Sequence, residues 1–189
     1  MHAAPGTPPL WTAVDDSVRG GNSSSQLTIT AATNEATFSG YLDDVTLGGA
    51  GFASQQTVGS LDWNLTGYDG LLISVSLSDG KLYTLNLKDV LPASERESSL
   101  LYETNFTVPS SSASGAQEVF LPWANFTATY RGRTQPDAKP LNTSSIKTMS
   151  LMMRRYVTML VENSYFGKQE GAFSLTVKSI SAFCKNQLQ

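Results

Sequence analysis

Two short stretches concentrate the side chains able to do chemistry. Asp15-Asp16-Ser17-Val18-Arg19-Gly20-Gly21-Asn22-Ser23 sets two carboxylates and a guanidinium beside paired glycines. Glycine admits the positive-φ bends that would hold Asp16 and Arg19 in fixed directions. Tyr130-Arg131-Gly132-Arg133 places two guanidinium groups around another glycine, and each is a planar fork of five donors suited to carboxylate or phosphate. A second arginine pair, Arg154 and Arg155, follows the apolar run from Met149 to Met153. Successive strand residues take opposite faces, so one of that pair points towards the core or the concave sheet face and needs a partner there. That partner is either a structural carboxylate or a bound anion.

The carboxylate pairs Asp15/Asp16 and Asp43/Asp44 have the residue types for acid and base roles in glycoside hydrolysis. Adjacency argues against it, since neighbouring strand residues diverge and loop carboxylates meet water. Asp15 and Asp16 also match no calcium-loop spacing, and the reading adopted for Asp16 is an Asx-type turn that holds the Gly20-Gly21 bend. His2 is the only histidine and sits near the terminus, which removes Ser-His-Asp triads, Cys-His pairs and histidine metal sites. Cys184 is the only cysteine, so no intrachain disulfide and no cysteine-rich metal centre can form. Neither a cofactor nor a metal is expected. Tyr83 and Tyr102 are candidates to present hydroxyls to a small ligand, with core packing as the alternative.

These groups must be positioned by strands. Leu71, Ile73, Val75 and Leu77 alternate with serines, Asp79-Gly80 reads as a hairpin turn, and Tyr83, Leu85 and Leu87 alternate with polar residues after it. An antiparallel hairpin across Asp79-Gly80 is expected. Further strands are expected near 26–30, 36–42, 51–58, 100–108, 117–121, 146–154 and 171–180, with Phe173, Leu175 and Val177 on one face of the last. The serine-rich 109–116 and the basic, proline-containing 130–145 are expected to be long loops. Many short strands without helical periodicity give an all-β antiparallel sandwich, a jelly roll. One domain is expected over 11–183, between a flexible segment 1–10 and a tail 184–189.

With 13 basic and 16 acidic residues the net charge is −3, and no block of like charge is present, which disfavours nucleic acid as a partner. No apolar run approaches the roughly 20 residues that span a bilayer. The first residues hold neither a basic presequence nor an apolar signal core, so a cytoplasmic location is the default. Five Asn-x-Ser/Thr sequons are expected to be silent.

In order along the chain, Asp16-Ser17-Val18-Arg19-Gly20-Gly21-Asn22-Ser23, Phe38-Ser39-Gly40, Gly51-Phe52-Ala53-Ser54, Tyr68-Asp69-Gly70, Phe120-Leu121-Pro122-Trp123, Tyr130-Arg131-Gly132-Arg133 and Gly171-Ala172-Phe173-Ser174-Leu175 resemble the signatures of the complex I intermediate-associated protein 30 family. The resemblance spans about 11–180 and implies a galactose-binding-like jelly roll. It further implies a binding or assembly role and, through the family's organellar members, mitochondria as the alternative location. The resulting expectation is a non-catalytic module that engages a protein partner or a polar small molecule. Its surface would comprise Asp16, Arg19, Tyr83, Tyr102, Arg131, Arg133 and Arg154 with the concave sheet face. Two alternatives are a histidine-free isomerase, dehydratase or cyclase in a biosynthetic pathway, and a carbohydrate-binding module.

Overall fold

The computed structural model describes residues 10–93, 98–110, 115–155, 159–161, 164–166 and 169–185. Most of the expected flexible ends, and 111–114 of the serine-rich tract, lie outside these residues.

Period-two alternation produces the strands that it announces. They are β1 (Trp11–Ala13), β2 (Ser24–Thr30), β3 (Glu35–Leu42), β4 (Phe52–Thr57), β5 (Gly70–Ser78), β6 (Leu82–Lys88), β7 (Leu101–Thr107), β8 (Gln117–Pro122), β9 (Thr127–Tyr130), β10 (Arg133–Thr134), β11 (Thr148–Arg154), β12 (Met159–Val161), β13 (Ser164–Phe166) and β14 (Gly171–Phe183). A seven-stranded sheet, β1-β4-β11-β6-β7-β9-β10, packs against a five-stranded sheet, β2-β3-β14-β5-β8, and β12 and β13 form a two-stranded sheet among the described residues. Every named pairing is antiparallel, as a jelly roll requires. Inward side chains from both sheets form one core, including Phe38, Ile73, Tyr83, Leu85, Leu151, Phe173 and Leu175. Each fully buried large apolar side chain there contributes roughly 1.5–3 kcal/mol.

The hairpin expected across Asp79-Gly80 does not form. β5 lies between β14 and β8, whereas β6 lies between β11 and β7, so the connection crosses from one sheet to the other. Its geometry is fixed by distant partners. Ser78 Oγ donates to the Val108 carbonyl at 2.9 Å, and the Asp79 carboxylate accepts from Lys81 N and Ser174 N, each at 3.0 Å. An alternating run followed by Asp-Gly serves a corner between sheets as well as a hairpin, because in both cases one apolar face turns inward.

Leu77 also departs from its expected face. It is 54% exposed because the β5–β14 ladder slips in register around Val177, which turns Leu77 out and Ser78 in. The expected loop 130–145 begins as the β9–β10 hairpin, with Arg133 opposite Tyr130 and Thr134 opposite Thr129.

Candidate functional site

Asp15 and Asp16 do structural work in opposite directions from one turn. The Asp15 carboxylate accepts from Ser25 N, Ser25 Oγ and Ser54 N at 2.9, 2.6 and 2.8 Å. The Asp16 carboxylate accepts from Ser23 N, Ser23 Oγ and Phe52 N at 3.0, 2.6 and 3.1 Å. Because Ser25 belongs to β2 and Ser54 and Phe52 to β4, the two acids stitch the edge of one sheet to the other. All four carboxylate oxygens are occupied by N–H or O–H donors. Gly21 is required here for space, since a Cβ would lie 2.3 Å from the Asp16 carboxyl carbon. The expected turn-holding role of Asp16 is therefore extended into a tie between sheets.

The other candidate residues scatter. The Arg19 guanidinium stacks over the Phe52 ring at 5.1 Å. Arg131 adopts φ +50°, lies 5.5 Å from the Tyr130 ring centre and donates Nε–H to Ser98 Oγ. Arg133 is exposed on β10. The opening loop leaves β1 beside Phe52, at one edge and one end of the seven-stranded sheet. Arg131 and Arg133 occupy its other edge and other end, as the registers show. Along the strands alone, a rise of ~3.3 Å per residue separates the two by roughly 20 Å. The structure does not bring them into one site.

Both tyrosines are core residues with local partners. Tyr83 is fully buried, and its hydroxyl donates to Asp79 Oδ1 at 2.9 Å. Burial, with the Asp79 carboxylate beside it, pushes the phenol far above its usual range. Tyr102 donates to the Lys139 carbonyl at 2.8 Å, and burial, then Asp89, raises its phenol also.

What the structure does assemble is the face of the seven-stranded sheet turned away from the core. The registers place Thr12, Gln56, Ser150, Asn86, Glu103 and Thr127 in one row across six strands. Arg154 lies flat over this face and makes a two-pronged ion pair with Glu103, Nη1 to Oε2 at 3.1 Å and Nη2 to Oε1 at 2.7 Å. Thr129 Oγ1 donates to the same carboxylate at 3.3 Å. The carboxylate partner foreseen for one arginine of the pair is thus Glu103. Arg155 turns instead towards Asp44, at 3.9 Å. Asn86 is 1% exposed and donates to Ser150 Oγ at 3.2 Å, but its buried Oδ1 has no hydrogen-bond partner among the described residues.

Glu103, Asn86 and Lys88 were not among the sequence candidates. For Asn86 and Lys88 the signal was the polar half of β6, Thr84-Asn86-Lys88, which reads as a solvated face until the structure shows Thr84 and Asn86 buried; Glu103 stands on β7, alternating with Tyr102 and Thr104. Among the described residues no three His, Cys, Asp or Glu side chains gather as metal ligands.

Lys88 sits on this face, and burial pushes its amine below the usual lysine value. The folded state then binds fewer protons than the unfolded chain as pH approaches about 10.4, so stability rises with pH through that window, and the cost is full below the folded value. Lys88→Met is expected to raise the thermal midpoint at neutral pH. That gain should shrink as pH nears the free-lysine value, which calorimetric scans in paired buffers would read.

Comparison with known proteins follows this geometry. The family described as complex I intermediate-associated protein 30 matches over residues 3–177. An uncharacterized protein of Schizosaccharomyces pombe is 40% identical over 181 residues, which cover 92% of this chain and 78% of that protein. Among solved structures, the chain resembles the family 11 carbohydrate-binding module of a cellulosomal cellulase from Clostridium thermocellum. The TM-score is 0.60 at 12% identity, over 95% of this chain and 90% of that one. The same module in complex with a β-1,3-1,4-mixed-linked tetrasaccharide matches with TM-score 0.59 at 12% identity, over 97% and 94% of the two chains. At that identity the likeness concerns the jelly-roll fold.

Proposed function

Because the chain belongs to the complex I intermediate-associated protein 30 family, we propose that it is a non-catalytic binding or assembly module. It engages a protein partner across the outer face of its seven-stranded sheet. One observation carries this reading: the solvent-reaching members of that face's polar row, Thr12, Gln56 and Thr127, with the partly exposed Arg154–Glu103 pair between them, on a base of Ser150 and Asn86 that is itself buried. Strands hold such groups at fixed spacing, as a specific binding surface requires, and direct hydrogen bonds at about one per 100–200 Å² are a regular part of protein–protein interfaces. Asp15, Asp16 and Glu103 are each held by hydrogen bonds or an ion pair, so the reading assigns them no proton transfer. Cytoplasm remains the preferred location, with mitochondria the alternative suggested by the family.

The test compares two double variants by quantitative capture from lysate of the source organism, followed by direct binding of whichever protein is enriched. Glu103→Ala with Arg154→Ala is expected to weaken that partner by about tenfold or more, while Arg131→Ala with Arg133→Ala changes it little. Equal binding by all forms, with circular dichroism unchanged, would remove this face from the proposal.

A further inference from the structure

A second feature of the same face is independent of partner capture. Thr12 pairs in register with Gln56, and Thr148 with Lys88, on four neighbouring strands. Above them lies a cleft of about 640 Å³ whose lining also includes Val14, Val58, Leu91 and Pro92. That volume is within the ~300–1,000 Å³ of small-molecule sites. Among the described residues, Lys88 is the only charged member of the lining, and none makes a hydrogen bond or ion pair with its ammonium group. The remaining polar groups are neutral: Thr12, Gln56 and Thr148, joined by Thr57 and Ser60.

Val14, Val58 and Leu91 are large apolar side chains left 37%, 51% and 43% exposed, and all three border this one cleft. An aliphatic wall facing a half-buried lysine, with no counter-charge among the described residues, leaves two costs standing: apolar area in water, and an ammonium stripped of part of its hydration. One molecule removes both if it carries a single negative charge on an apolar body. A phosphate dianion matches less well, because one lysine and neutral amides would leave it half-compensated, and a neutral lipid would leave Lys88 unanswered. The geometry points to a binding site for a small amphipathic carboxylate, its headgroup on Lys88 with hydrogen bonds from Gln56 and the threonines, and its apolar part against Val14, Val58 and Leu91.

Isothermal titration of the purified protein with octanoate and with octanamide, which share a tail and differ in headgroup charge, tests this. Octanoate is expected to bind saturably at one site, about tenfold or more tighter than octanamide, the margin of a charge-assisted contact. Lys88→Gln should erase the difference, Lys88→Arg should retain most of it, and Leu91→Asp should weaken both ligands. Fold is checked for each by circular dichroism, and burial of Lys88 makes Lys88→Gln a variant expected to fold. Equal affinity for the two probes, indifference to Lys88→Gln in a folded variant, or no saturable octanoate binding below its micellar range would each overturn the assignment.

Discussion

Asp16→Ala will lower the stability of the folded protein by about 3–6 kcal/mol, enough to consume much of the 5–15 kcal/mol that holds a domain of ordinary stability together. The reason is local and countable. Asp16 is fully buried, and its removal leaves Ser23 N–H, the Ser23 hydroxyl and Phe52 N–H without their acceptor, inside a corner where water does not replace it. Each buried donor left unmatched costs about 1–3 kcal/mol. Asn at this position should fall between, because it retains one acceptor oxygen but turns an N–H₂ towards donors. Gly21→Ala should reproduce part of the loss from the other side, since its Cβ would occupy the carboxylate's own volume. Urea unfolding monitored by tryptophan fluorescence reads all three. An Asp16→Ala midpoint within a few tenths of a molar of the native one would refute the stitching role, whereas an early midpoint with an unchanged slope would support it.

That loop also shows where the sequence speaks and where it stops. Two acids beside Gly20-Gly21 announce a bend that must be held, but the holders sit up to 39 residues away, at Ser54 for Asp15 and at Phe52 for Asp16. Local spacing contains no such information. The strands were legible because burial imposes a two-residue period on each of them: Phe38 and Leu42 face in on β3, and Phe173, Leu175 and Val177 on β14. Sheet membership was not legible, since Asp79-Gly80 is equally suited to a hairpin and to the corner that the Ser78–Val108 and Asp79–Ser174 hydrogen bonds select. The candidate arginines illustrate the same division. That one arginine of the 154/155 pair needed a partner followed from strand alternation, but which one, and Glu103 as the partner of Arg154, depended on β6 lying between β11 and β7. Arg131 and Arg133 drew notice by residue type around Gly132 and by the resemblance at Tyr130-Arg131-Gly132-Arg133, and neither places them at the far end of the sheet from the Asp16 corner.

Gln169 supports the second large expectation, and with it the aim of Arg154. The β6–β11 ladder runs from Thr148 opposite Lys88 to Met152 opposite Thr84 and stops there. At the next position the Gln169 amide inserts between the strands: Oε1 accepts from Leu82 N at 2.7 Å, while Nε2 donates to the carbonyls of Leu82 and Arg154, each at 3.1 Å. A side-chain amide here replaces the missing backbone pair, donor for donor. Gln169→Ala strands one N–H and two carbonyls and should cost about 2–4 kcal/mol at any pH. Gln169→Glu is the sharper test. Its carboxylate still accepts from Leu82 N, yet its second oxygen faces two carbonyls, so the charged form is penalised and the folded-state carboxyl titrates above the free value of about 4.3. The folded state then holds a proton that the unfolded chain has released, and stability must fall as pH rises through that interval. Urea midpoints should place the Gln169→Glu variant above Gln169→Ala near pH 4, where a protonated carboxyl still supplies one donor, and level with or below it at pH 7. Parallel pH curves for the two variants would show that the amide does not bridge the strands. A crossing would establish that the Gln169 amide bridges Leu82 and Arg154 where the β6–β11 ladder ends, on the side of β11 opposite its pairing with Phe52 of β4.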